Sequence, residues 1–113
     1  MMRIFSALMR LVCHADRRAC GAKRSGSWPA TEAGHLRKHP TCAACGRADD
    51  PEVHHIIPFH LRPDLELDEK NLITLCGKRG CHFLFGHLLS WLSYNAHVVI
   101  DAALMLARIK QRP

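Results

Sequence analysis

At 113 residues, 48% hydrophobic and 23% charged, the chain has material for one modest core and not for two ordinary domains. Only 6% of it is aromatic, so that core is thin and a structural metal is a natural supplement. The formal charge of +6 is concentrated: the first 38 residues carry eight Lys or Arg against two acidic residues, and the remainder balances.

Taken in chain order, residues 2–12 place Ile4, Phe5, Leu8, Leu11 and Val12 at helical spacing. This run is broken by Arg10, is too short to span a bilayer and has no small-residue cleavage pattern after it. The expectation is a cytoplasmic chain without a membrane span, whose thiols stay reduced and favour metal ligation over disulfides. A polar, basic stretch follows, and residues 1–24 read as a basic arm ahead of a domain at residues 25–113. A helix is expected from Trp28, with Ser27 as N-cap and Pro29 in the first turn, stopping before Pro40. The β-branched run at residues 52–57 and the apolar run at 71–75 predict two short antiparallel strands. The acidic loop between them, with Asp64, Glu66, Asp68 and Glu69, reads as a solvated flap. A helical pattern begins at His82, breaks near residues 93–95, and resumes at 98–110 with Val99, Ala102, Ala103, Leu106 and Ile109 on one side.

Six cysteines include two pairs with ligand spacing. Cys42 and Cys45 enclose two residues and Cys76 and Cys81 enclose four, so each pair can direct both thiolates at one tetrahedral zinc. The long separation between the pairs requires a hairpin inserted between two knuckles. Glycines 46, 77 and 80 suit the tight turns, since glycine alone takes positive φ without a penalty. Cys13 and Cys20 lack such a setting and read as ordinary thiols.

Between and after the cysteine pairs lie His54-His55, Asn71 at the start of the second strand, and His82 directly after Cys81, with His87 nearby. This order of knuckle, His-His, Asn and Cys-His resembles the HNH endonucleases over roughly residues 25–95. The resemblance implies an α+β fold: a small zinc-stapled ββα-metal domain with flanking helices. It also implies roles: His55 as the general base that takes a proton from the attacking water, Asn71 as the residue that orients the hairpin and that base, and His54 and His82 as ligands of a catalytic divalent ion. The products it implies carry 5′-phosphate and 3′-hydroxyl ends. The chemistry is consistent, because a neutral imidazole serves as a base near neutral pH and a bound cation stabilises charge on phosphorus and on the departing oxygen. His54 and His55 are adjacent on a strand and point to opposite faces, so they cannot do the same job. On an undistorted α-helix His82 and His87 diverge by about 140°, so His87 joins the metal only if the helix breaks, which Gly86 permits. His14, His35, His39 and His97 have no motif partner and read as ordinary histidines, and His60 as a loop histidine.

The expected function is a metal-dependent endonuclease hydrolysing DNA phosphodiester bonds, with Arg17, Arg18, Lys23, Arg24, Arg37 and Lys38 on the phosphate backbone. Its expected cofactors are a structural Zn²⁺ and a catalytic Mn²⁺, Ni²⁺, Co²⁺ or Mg²⁺. A ligand set with His54 in place of the family's frequent Asp leans away from magnesium. Dimerisation is left open. The competing reading is a non-catalytic zinc module that binds nucleic acid, against which stands the joint presence of His54, His55, Asn71 and His82.

Overall fold

The computed structural model describes residues 23–113. Most of the basic arm, with Arg17, Arg18, Cys13, Cys20 and His14, lies outside the described residues. The elements are α1 (Trp28–Lys38), β1 (Pro51–His55), two 3₁₀ turns (Pro63–Leu65 and Glu69–Asn71), β2 (Leu72–Cys76), a π-helical turn (His82–Gly86) and α2 (Val98–Lys110). The fold class is α+β, with one two-stranded antiparallel sheet. No helix among the described residues is long and apolar enough to cross a membrane.

Helix α1 starts after Ser27 as the sequence indicates, but the Ser27 side chain makes no capping bond. Its backbone N–H donates instead to Ser25 Oγ, and the entry into the helix is held from outside. Glu66 does this, accepting from Ser25 N at 2.9 Å and from Arg24 Nη1 at 3.4 Å. Glu66 is buried, which corrects the expectation of a uniformly solvated acidic flap. A buried carboxylate needs donors, and the chain entering α1 supplies them.

The strands pair from Pro51 opposite Cys76 to His55 opposite Leu72. All five β2 residues are buried, because β1 lies on one side and the first knuckle donates Ala43 N–H to Thr74 O on the other. The core gathers Cys42, Ala44, Ile73, Leu75, Cys76 and Cys81 against Val98 and Ala102 of α2. Within α2 the inward side carries Val98, Ala102, Leu106 and Ile109, so three of the five expected residues lie inward, while Val99 and Ala103 face solvent. Asn95, just ahead of the helix, is buried. Its N–H donates to Gly86 O, and its side chain accepts from His97 N and donates to Asp101, fixing where the helix begins.

Gly46 and Gly80 have φ of 78° and 80°, as knuckle turns require. At Gly77 a Cβ would lie 2.6 Å from Glu52 Oε1 and 2.8 Å from Asp50 Oδ2, so a side chain there would displace those two carboxylates.

Candidate metal centres and active site

Cys42, Cys45, Cys76 and Cys81 bring their four sulfurs within 4.8 Å of one another. The Cys45 and Cys76 sulfurs are 3.7 Å apart. Zinc–sulfur bonds of about 2.3 Å in a tetrahedron place sulfurs about 3.8 Å apart, so the spacing fits a tetrathiolate ion and not a disulfide. Three of the four residues are buried. Burial pushes the Cys45 and Cys81 thiols up, a cost that a bound cation would offset by stabilising the thiolates.

The histidines form a second cluster. His54, on β1, is buried, and its Nδ1 lies 3.0 Å from His82 Nε2. His87 completes the set, the three donor nitrogens lying within 4.8 Å of one another. Expectation and structure meet here at the distortion of the helix. His82–Gly86 is a π-turn, in which a residue and the one five positions later are separated by about 50° rather than 140°. Both imidazoles therefore sit on one face. Gly86 is where the cluster comes closest to the backbone, since a Cβ there would meet the His54 ring at 3.0 Å and the His82 ring at 3.1 Å. After the turn the chain does not continue as a helix. Leu88 and Leu89 take φ of 54° and 65°, uncommon for leucine, and the segment folds back toward α2.

Each histidine of the π-turn has its outer nitrogen engaged. His82 Nδ1 donates to Glu52 Oε1 at 3.0 Å and His87 Nδ1 donates to the Ser93 carbonyl at 2.8 Å. This fixes the tautomer and leaves Nε2 with a lone pair facing the cluster, the arrangement that metal-binding imidazoles use. Burial, aided by the neighbouring imidazoles of His82, His87 and His55, pushes His54 down to about 3. Burial also lowers His87, with the Ser93 carbonyl opposing it. Both are then neutral, the form in which imidazole binds a cation.

His55 points the other way from β1. Its Nε2 donates to the Glu66 carbonyl at 3.0 Å, and its ring stacks on Trp28 with centroids 4.5 Å apart. Nδ1 is left as the basic nitrogen. Burial lowers the pKa of His55, and the Arg24 charge adds to this. Asn71 lies behind it: its Oδ1 accepts from Ile57 N at 2.8 Å and its Nδ2 donates to Ile57 O at 3.0 Å. Asn71 therefore clamps the backbone two residues beyond His55.

His54, His55, His82 and His87 line one cleft of about 330 Å³, together with Arg24 and Trp91. Arg24 stacks over Phe59 at 4.4 Å on its rim. His60 also lines the cleft, beyond its expected place in the loop. Lys23, Arg37 and Lys38 are exposed, but Lys38 borders a different cavity. Sequence reasoning missed Glu52 and Trp91. Glu52 was accessible from period two along β1, which puts it on the His54 face; Trp91 lies in an irregular segment that carries no such signal.

The hairpin and the turn after it thus carry two clusters of metal-ligating side chains, one of cysteines and one of histidines. The family model described as HNH endonuclease matches residues 42–83, the stretch from the first knuckle into the π-turn. No curated protein and no solved structure matches the chain.

Proposed function

We propose that the protein is a metal-dependent HNH endonuclease that hydrolyses DNA phosphodiester bonds. The observation that carries this is the convergence of His54, His82 and His87 on one side of a cleft whose other side presents His55 with a free basic nitrogen. In this reading His54 Nδ1 and the Nε2 atoms of His82 and His87 hold one divalent ion, and Cys42, Cys45, Cys76 and Cys81 hold a structural zinc. The donor chemistry fits, with three imidazoles in one cluster and four thiols at tetrathiolate spacing in the other. The bound ion would supply charge stabilisation at the phosphoryl and leaving oxygens.

The chain's own residues perform the rest. His55 Nδ1 takes the proton of the attacking water, and the proton moves onto an imidazole whose opposite edge is anchored on the Glu66 carbonyl. Asn71 keeps the backbone after β1 in register, so that His55 is aimed at the cleft. Arg24 offers its guanidinium to a phosphate at the rim, with Phe59 supporting its face. An all-imidazole ligand set favours manganese, cobalt or nickel over magnesium, which prefers oxygen donors.

The test is conversion of supercoiled plasmid to nicked and linear forms by the zinc-loaded protein, with and without added Mn²⁺, Co²⁺, Ni²⁺ or Mg²⁺. Cleavage that requires added metal and disappears in His55→Ala, with DNA binding retained, supports the proposal. Binding without cleavage under every metal would make the protein a nucleic-acid-binding module instead.

A further inference from the structure

A third group of ligating side chains lies outside both clusters. His35 lies in the last turn of α1, His39 caps that helix four residues on, and Glu69 comes to them from the second 3₁₀ turn. His35 Nδ1 is 2.7 Å from Glu69 Oε1, and His39 Nε2 is 3.9 Å from the same oxygen. The three donors lie within 4.8 Å of one another, and the imidazole rings are 4.8 Å apart. The group borders its own cavity with Lys38, Thr41 and Thr74, away from the cleft that holds His54 and His55.

We propose that His35, His39 and Glu69 form a separate site for a divalent ion of the zinc, cobalt or nickel type. Two imidazole nitrogens and one carboxylate oxygen are a donor set of that borderline class, and they leave coordination positions that water fills. The three side chains differ in a way that suits a site assembled on a fixed base. His35 is buried, and its Nε2 has no partner among the described residues, so its ring is held through Nδ1 facing Glu69. His39 and Glu69 are exposed and free to adjust to an ion. The backbone beneath is already tied, since Thr74 Oγ1 donates to His39 O at 2.7 Å. The end of α1 also favours a cation, because unpaired carbonyls concentrate there.

The position suggests what the ion does. Glu69 stands two residues before Asn71, the residue that clamps the backbone at Ile57. An ion joining Glu69 to α1 fixes the turn that carries Asn71 against the helix that carries Trp28. The role is structural, and it does not depend on the chemistry proposed for the cleft.

Cobalt(II) is the probe. The full-length, zinc-loaded chain carrying His82→Ala and His87→Ala, which removes two ligands of the cleft cluster, is titrated with Co²⁺ by calorimetry and visible absorption. One Co²⁺ per chain is expected, together with a rise in Tm. Adding His39→Ala or Glu69→Gln should weaken that binding at least about tenfold and cancel the rise in Tm, with zinc content unchanged. Both substituted positions are exposed, and circular dichroism verifies that the fold survives. The same two substitutions in the otherwise wild-type chain should lower the Co²⁺ stoichiometry by one, which gives the answer even if the cleft variant does not fold. Failure of the cleft variant to bind Co²⁺ while folded overturns the proposal, as does binding that His39→Ala and Glu69→Gln leave unchanged.

Discussion

His82 and Glu52 are joined by a 3.0 Å hydrogen bond from the imidazole Nδ1 to a carboxylate that shares a β1 face with His54. One strand thus supplies a proposed ligand, His54, and the group that orients another. Glu52→Ala is expected to reduce metal affinity in the cleft or the cleavage rate by about 10–100-fold without unfolding the protein, because the Glu52 side chain is exposed. Metal titration and single-turnover cleavage check this, and Glu52→Gln should recover part of the loss by still accepting the bond.

The π-turn removes any ranking between His82 and His87. Their alanine variants are expected to lose activity to a similar degree, measured as kcat/KM on plasmid at saturating metal. Gly86→Ala provides an independent test. Its new methyl stands 3.0 Å from the His54 ring and 3.1 Å from the His82 ring, so both rings must shift by a few tenths of an ångström, and activity should fall while the Cys42 end of the domain stays folded. A fully active Gly86→Ala would mean that the three rings do not act together.

Asn71 is buried with both ends of its amide engaged at Ile57. Replacing it with Ala leaves those backbone groups without partners and is expected to cost about 1–3 kcal/mol of stability, read from denaturant unfolding. Cleavage should drop further than stability alone explains, since the aim of His55 depends on this backbone.

The pH profile carries the signature of His55. A base works in its neutral form, and burial and Arg24 hold the His55 pKa below its ordinary value. The rate is therefore expected to decline on acidification, as His55 gains a proton, with the decline displaced to lower pH than an ordinary imidazole would give. Arg24→Gln removes a charge that depresses this pKa, so the decline should begin at higher pH. DNA binding should weaken in the same variant, with a shallower dependence on salt.

Cys81→Ser is expected to release zinc and abolish the folded state, followed by elemental analysis and circular dichroism, because burial of the remaining thiols depends on the ion. His82 follows Cys81 directly, so the π-turn should be lost with it.

Much of this was legible in the chain. The bounds of α1 and α2 followed from Pro29, Pro40 and apolar spacing, and the cysteine grouping followed from local ligand spacing. What stayed hidden required non-local contacts. The π-turn could be named only as a break permitted by Gly86, because it is imposed by Cys81 on one side and Asn95 on the other. Glu66 looked solvated as one of four acidic residues in a short loop, yet Arg24 and Ser25, more than 40 positions away, draw it inside. In α2 the periodicity placed Ala102, Leu106 and Ile109 inward but not the exposure of Val99 and Ala103, because the packing partners of the helix are non-local. His35 and His39 gave no signal because their partner, Glu69, lies on another turn.

The two cysteine knuckles stand 31 positions apart at Cys45 and Cys76, and everything between them is enclosed when an ion joins their thiolates. Such a clasp acts on the unfolded chain as a covalent cross-link does. A loop of that length loses enough freedom to favour the folded state by about 3–4 kcal/mol, a large share of what a domain this small can hold. His54, His55 and Asn71 all lie inside the clasp, whereas His82 lies just beyond it. A chelator or a thiol oxidant strong enough to open the cysteine site would thus free the hairpin first, disarming the cleft without touching an imidazole.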